Sequence, residues 1–115
     1  ARTFNAAFRA ANKDRYPSDY GAMAYSAVKS LLMAVKTAGS TEPDKVAAAL
    51  RALKYDTYKG PQYYRGCDQQ SVQSVLVIQL AATQAGHPDE VFKVLHAEPP
   101  SEGLLRSCAT LGFKG

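Results

Sequence analysis

The chain has 115 residues, 46% of them apolar and 21% charged, which suits one small folded domain and excludes the low-hydrophobicity, high-charge composition of disorder. Fourteen basic against ten acidic residues give a net charge of +4, but the basic residues are scattered from Arg2 to Lys114 with no run of three, so no nucleic-acid stripe forms. Apolar runs such as Val75 to Ile78 fall far short of the roughly 20 residues a membrane helix needs.

In chain order, Phe4, Ala7, Phe8 and Ala11 share one face of a helix and predict an amphipathic helix over about 3–15, stopped by Pro17. Ser18 or Asp19 can cap the next helix, about 19–38. Its apolar stripe is Ala24, Ala27, Val28, Leu31, Leu32 and Val35, its opposite face carries Ser26, Lys29, Ser30 and Lys36, and Gly39 supplies the left-handed stop. Thr41-Glu42-Pro43-Asp44 is a further start signal for a helix over about 42–54, with Val46, Ala49, Leu50 and Leu53 buried.

From Tyr55 the pattern becomes β-like. Tyr58-Lys59-Gly60-Pro61 and Gly66-Cys67-Asp68 read as turns around a strand at about 61–65. Strands follow at about 74–81 and, after the Gly86-His87-Pro88-Asp89 turn, at about 91–95, and a short helix is expected from Gly103 to Leu111. Val75 to Leu80 is apolar on both faces, as in a strand covered on both sides. Three helices with two or three strands supply too few neighbours for it, so the expected architecture is an incomplete α/β lobe whose remaining sheet lies elsewhere or comes from a second copy, making a homodimer one option.

Three stretches resemble the type I periplasmic binding proteins for leucine, isoleucine and valine. These are Tyr20 to Lys29 (YGAMAYSAVK), Ala38 to Leu50 (AGSTEPDKVAAAL) and Tyr58-Lys59-Gly60-Pro61, in the family's order and spacing, within a likeness running over roughly residues 3 to 80. The resemblance implies a C-terminal segment of a two-lobed carrier that closes on a small ligand and docks on ABC permease subunits. It implies a periplasmic protein whose precursor has a signal peptide, although Ala1 to Asn5 shows no charged n-region followed by an apolar h-region. It implies neither an enzyme nor a cofactor. Arg65-Gly66-Cys67-Asp68-Gln69-Gln70 departs from the common Asp-x-x-Gly hairpin and looks like a sub-branch carrying aromatic acids as well as amino acids. A cytoplasmic ligand-sensing regulator on the same lobe is the alternative.

The family's main carboxylate- and ammonium-gripping residues belong to earlier segments. Here Tyr20 matches an aromatic position beside the cleft and Gly21 a close-approach position, each set against a purely structural role at the helix start. Met23 and Tyr25 read as packing residues, whereas Tyr58, Tyr63 and Tyr64 flank the expected crossover as hinge or rim residues. Cys67 and Cys108 are either a disulfide, which the family's oxidising compartment permits, or two reduced thiols. With His87 and His96 they have no zinc-site spacing, and no nucleophile elbow or phosphate loop occurs.

Overall fold

The computed structural model describes residues 2–81 and 91–113. Three helices, α1 (Arg2–Ala11), α2 (Asp19–Ala38) and α3 (Pro43–Ala52), precede five strands: β1 (Lys54–Thr57), β2 (Gly60–Tyr64), β3 (Ser71–Gln73), β4 (Val75–Leu80) and β5 (Phe92–Glu98). β1, β2 and β3 form an antiparallel meander, and β4 pairs with β5 in a separate antiparallel sheet. The class is the expected mixture of three helices and partial sheets, with two short strands more than the sequence suggested. β1 and β3 are polar and three or four residues long, too short to show an alternation. The expected Gly86–Asp89 turn, with His87, lies outside the described residues.

Several local signals act as written. Ser18 caps α2 by accepting from the Gly21 amide at 3.1 Å, and Gly39 ends it at φ 57°, a conformation open to glycine. Pro43 opens α3, but the residue before it is an uncapped Glu42; Ser40 Oγ, rather than Thr41, accepts from the Glu42 amide. Three ends differ from expectation. α1 stops at Ala11, short of 15, because Lys13 and Asp14 turn to φ 52° and 61°, with the Asp14 amide donating to the Arg9 carbonyl. β5 runs on to Glu98. The expected helix over Gly103–Leu111 is a single 3-10 turn, Glu102–Leu104, followed by non-helical turns.

The largest correction concerns α2. Its buried positions are Ala22, Ser26, Ser30 and Ala34, spaced by four, whereas Val28 and Leu32 of the expected core stripe stand 56% and 63% exposed. Small side chains let the helix axis approach the sheet, and their hydroxyls find partners there. Ser26 Oγ donates to Gln62 Oε1 at 3.2 Å, and Gln62 Nε2 donates to Ser71 Oγ at 2.6 Å. Ser30 Oγ and the Tyr64 hydroxyl lie 2.8 Å apart, with the Tyr55 hydroxyl 3.4 Å beyond. Burial of these polar groups is tolerable because each is hydrogen-bonded. α3 packs on α2; Val46 and, just past the helix end, Leu53 are buried, and Ala49 and Leu50 are half-buried, as its stripe requires.

β4 and β5 are packed on each other and on little else among the described residues. Val75 to Ile78, Leu80, Phe92, Val94 and Leu95 are all exposed, so among the described residues the doubly apolar strand has one neighbour and no covering layer. A bulge between Val77 and Ile78 leaves Leu95 without a cross-strand partner. This arm explains a radius of gyration of 16.9 Å, against about 13 Å for a compact domain of this length.

The chain returning from the arm is fastened to the β2–β3 turn. Cys67 and Cys108 form a disulfide across 41 positions. Beside it, Arg65, 3% exposed, pairs with Asp68 and donates from Nη1 to the Arg106 carbonyl at 2.7 Å. The Arg65 guanidinium, with the Gln70 amide donating to the same carboxylate, holds the Asp68 carboxyl down at about 2. The folded state therefore binds this proton less tightly than the unfolded chain, in which an Asp titrates near 3.9. The pair's contribution is complete above about pH 4 and is lost as pH falls toward about 2. Thermal midpoints followed downward from neutral pH should drop through this window, and Asp68→Asn should flatten that part of the profile while lowering the midpoint at pH 7.

Candidate functional site

α1, the middle of α2 through Tyr25 and Lys29, and the β1–β2 turn line an open cleft of about 520 Å³. Rings from α1, α2 and the β1–β2 turn meet here. The Phe4 ring lies 4.8 Å from Tyr25 and 5.4 Å from Tyr58, centroid to centroid, and Phe8 follows 6.1 Å away on the same side of α1. Rings of this size at these separations attract one another while leaving gaps that small side chains such as Ala7 do not fill.

The polar groups are few. Lys29, half-buried, donates from Nζ to the Asp56 carbonyl at 2.8 Å, and its ammonium lies 6.0 Å from the Tyr25 ring centre. Asn12 Nδ2 is tied to the Phe8 carbonyl at 2.8 Å. Burial pushes the Tyr58 hydroxyl up from its ordinary pKa, and the negative charge of Asp19 pushes the same way, so Tyr58 stays a neutral donor at physiological pH. Lys29 is the one cation of the lining residues, which include no carboxylate. The volume and the mostly apolar wall with a small set of polar groups are those of a small-molecule site.

Of the residues singled out from sequence, Gly21 adjoins this cleft. A Cβ there would lie 3.9 Å from the Phe8 ring and 3.6 Å from Ser18 Oγ, which is ordinary contact, so the geometry alone does not demand glycine. Tyr20 is 76% exposed and is not among the lining residues. Tyr25 and Tyr58 form cleft walls, Met23 is exposed, and Tyr64 belongs to the hydroxyl chain beneath α2. Lys29 was legible only as part of an outward polar face; its four-residue spacing from Tyr25 is the signal that sets it beside that ring. His96 is 2.9 Å from the Glu98 carboxylate on the exposed arm, apart from the cleft. Among the described residues no three His, Cys, Asp or Glu side chains gather as a metal site, and no helix is long and apolar enough to cross a membrane.

A periplasmic binding protein family model matches residues 1–86. A search of curated proteins returned no match. Among solved structures, a periplasmic binding protein from Burkholderia mallei is similar over 86% of this chain at 28% identity and a TM-score of 0.74. The chain covers 26% of that protein's length. The family match takes in α1, α2, α3 and the whole β1–β2–β3 meander, including every residue of the cleft. The chain belongs to the periplasmic binding protein family.

Proposed function

We propose that this chain is the C-terminal segment of a solute-binding protein that delivers a branched-chain or related amino acid, or an aromatic acid, to an ABC importer. The observation that carries the reading is the family match over residues 1–86, together with a structural likeness spanning about a quarter of a larger periplasmic carrier. In this reading the three helices end one lobe, the strands beyond them serve the crossovers, and Tyr20 and Gly21 stand at the rim of the ligand cleft. The permease subunits are the protein partner.

The disulfide between Cys67 and Cys108 supports a periplasmic setting over the cytoplasmic regulator, because such bonds persist in oxidising compartments. Calorimetric titration of the full-length protein with a panel of aliphatic amino acids and aromatic acids tests the proposal. Saturable binding of one of them at micromolar or tighter affinity is the expected result. Flat titrations across the panel would remove it.

A further inference from the structure

We infer that the Cys67–Cys108 bridge, seated by Arg65 and Asp68, locks the returning foot of the β4–β5 arm to the body formed by α2, α3 and the β1–β2–β3 meander, so that the arm is a lever confined to one axis of swing. Its use in solute capture rests on the carrier reading; the mechanical claim stands apart from it.

The arm meets the body at two places. On the way out a single residue, Ser74, separates Gln73, paired with Gln62 in the meander, from Val75, paired with Glu98 in the arm. On the way back Glu98 is followed by Pro99 and Pro100, whose rings fix φ and remove two amide donors, so neither can prolong the ladder. Each proline also holds the residue before it extended. One foot is a single swivel and the other a stiff strut. Because Val75 and Glu98 are direct partners across the ladder, the feet stand side by side, about 5 Å apart.

A lever on one fixed foot turns in every direction, whereas a lever on two rocks only about the line that joins them. The second foot is fixed by the chain just beyond the prolines. Arg65 Nε donates to Asp68 Oδ1 at 2.9 Å within the β2–β3 turn, which sets the guanidinium in place, and Nη1 reaches the Arg106 carbonyl at 2.7 Å, two residues before the bridged Cys108. The turn is closed on itself, with the Arg65 amide donating to the Gln70 carbonyl and the Gln69 amide to the Arg65 carbonyl, both at 2.9 Å. Covalent and hydrogen-bonded ties thus converge on residues 65–68, in the turn that leads directly into β3 and Ser74, so both feet stand on the same piece of the body. Beyond the feet the arm is one unit: its ladder runs from Val75↔Glu98 to Leu80↔Phe92 and is extended by the Ala81 amide donating to the Val91 carbonyl at 3.0 Å. In a two-lobed carrier, a link with one axis brings the lobes together along one path, and less orientational freedom is lost when a solute is captured.

The test is the spread of distances between arm and body in the full-length protein without any solute, read by pulsed electron–electron resonance. Spin labels carried on non-natural residues at positions 93, on β5, and 45, on α3, leave the cysteines untouched; a control pair at positions 45 and 54 lies wholly within the body. The wild type should give one narrow distribution for the arm pair. Cys67→Ser/Cys108→Ser releases the second foot and should broaden it at least about twofold, with the control pair unchanged. Pro99→Gly/Pro100→Gly softens the strut while leaving every contact of the clamp in place, and should broaden it likewise. Should the cysteine variant not fold, the proline variant decides alone. A distribution already broad in the wild type, or one as narrow in the variants as in the wild type, overturns the lever. Flat solute titrations would remove the carrier reading and leave these distances as they are.

Discussion

Replacing both Cys67 and Cys108 by serine should lower the stability of the chain by about 4 kcal/mol, the entropy that a bridge across 41 positions removes from the unfolded ensemble. Against the roughly 6 to 17 kcal/mol expected for a domain of this size, that is a large fraction. The cost has a local component as well. The bridge delivers the returning chain to the β2–β3 turn, where Arg65 donates to the Arg106 carbonyl, and without the bridge that bond must hold the segment alone. Denaturant unfolding of wild type and double mutant, each with and without reductant, isolates the effect. The oxidised wild type should have the higher midpoint, and reductant should move the wild type down to the double mutant while leaving the latter in place. A difference below about 1 kcal/mol would mean that Arg65, Asp68 and local packing already fix the tail.

The two cysteines illustrate what a sequence carries and what it withholds. Their presence and their pairing options were legible, but the clamp beside them was not, because nothing marks Arg65 and Asp68 as partners except a three-residue spacing across a turn. The stripe of α3 was legible: Val46 and Leu53 are periodic and buried, and Leu50 is half-buried between them. α2 was legible as a helix and inverted as to its buried side. A 3.6-residue period establishes that two faces differ; it does not say which one points inward when Ser26 and Ser30 can satisfy their hydroxyls on Gln62 and Tyr64. The large residues Val28, Leu31 and Leu32 point to a core because apolar surface is normally covered, and among the described residues it is not. The cleft is not legible in the sequence either. Phe4, Tyr25 and Tyr58 belong to three separate elements, and only the tertiary fold brings their rings together.

If the chain is a segment of a larger binding protein, as proposed, Ile78→Asp should destabilise that full-length protein by about 3 kcal/mol or more, whereas in the 115-residue chain the same substitution should cost almost nothing and should reduce self-association. The contrast follows from β4 and β5. Val75, Val77 and Leu95 are no better covered than Ile78, and a pair of strands apolar on both faces is at most marginally stable in water without a layer against it. If the remainder of a larger carrier supplies that layer, position 78 is buried there, and a carboxylate loses both transfer energy and solvation. In the isolated chain Ile78 is 49% exposed, and the charge interrupts a run suited to pairing with another copy. Chemical denaturation of the full-length pair and sedimentation of the isolated-chain pair across a concentration series measure the two halves of the contrast. Equal destabilisation in both contexts would place the cover of β4 within the 115 residues themselves. A neutral effect in both would leave the arm bare in the whole protein too, and its apolar faces would then need an external partner.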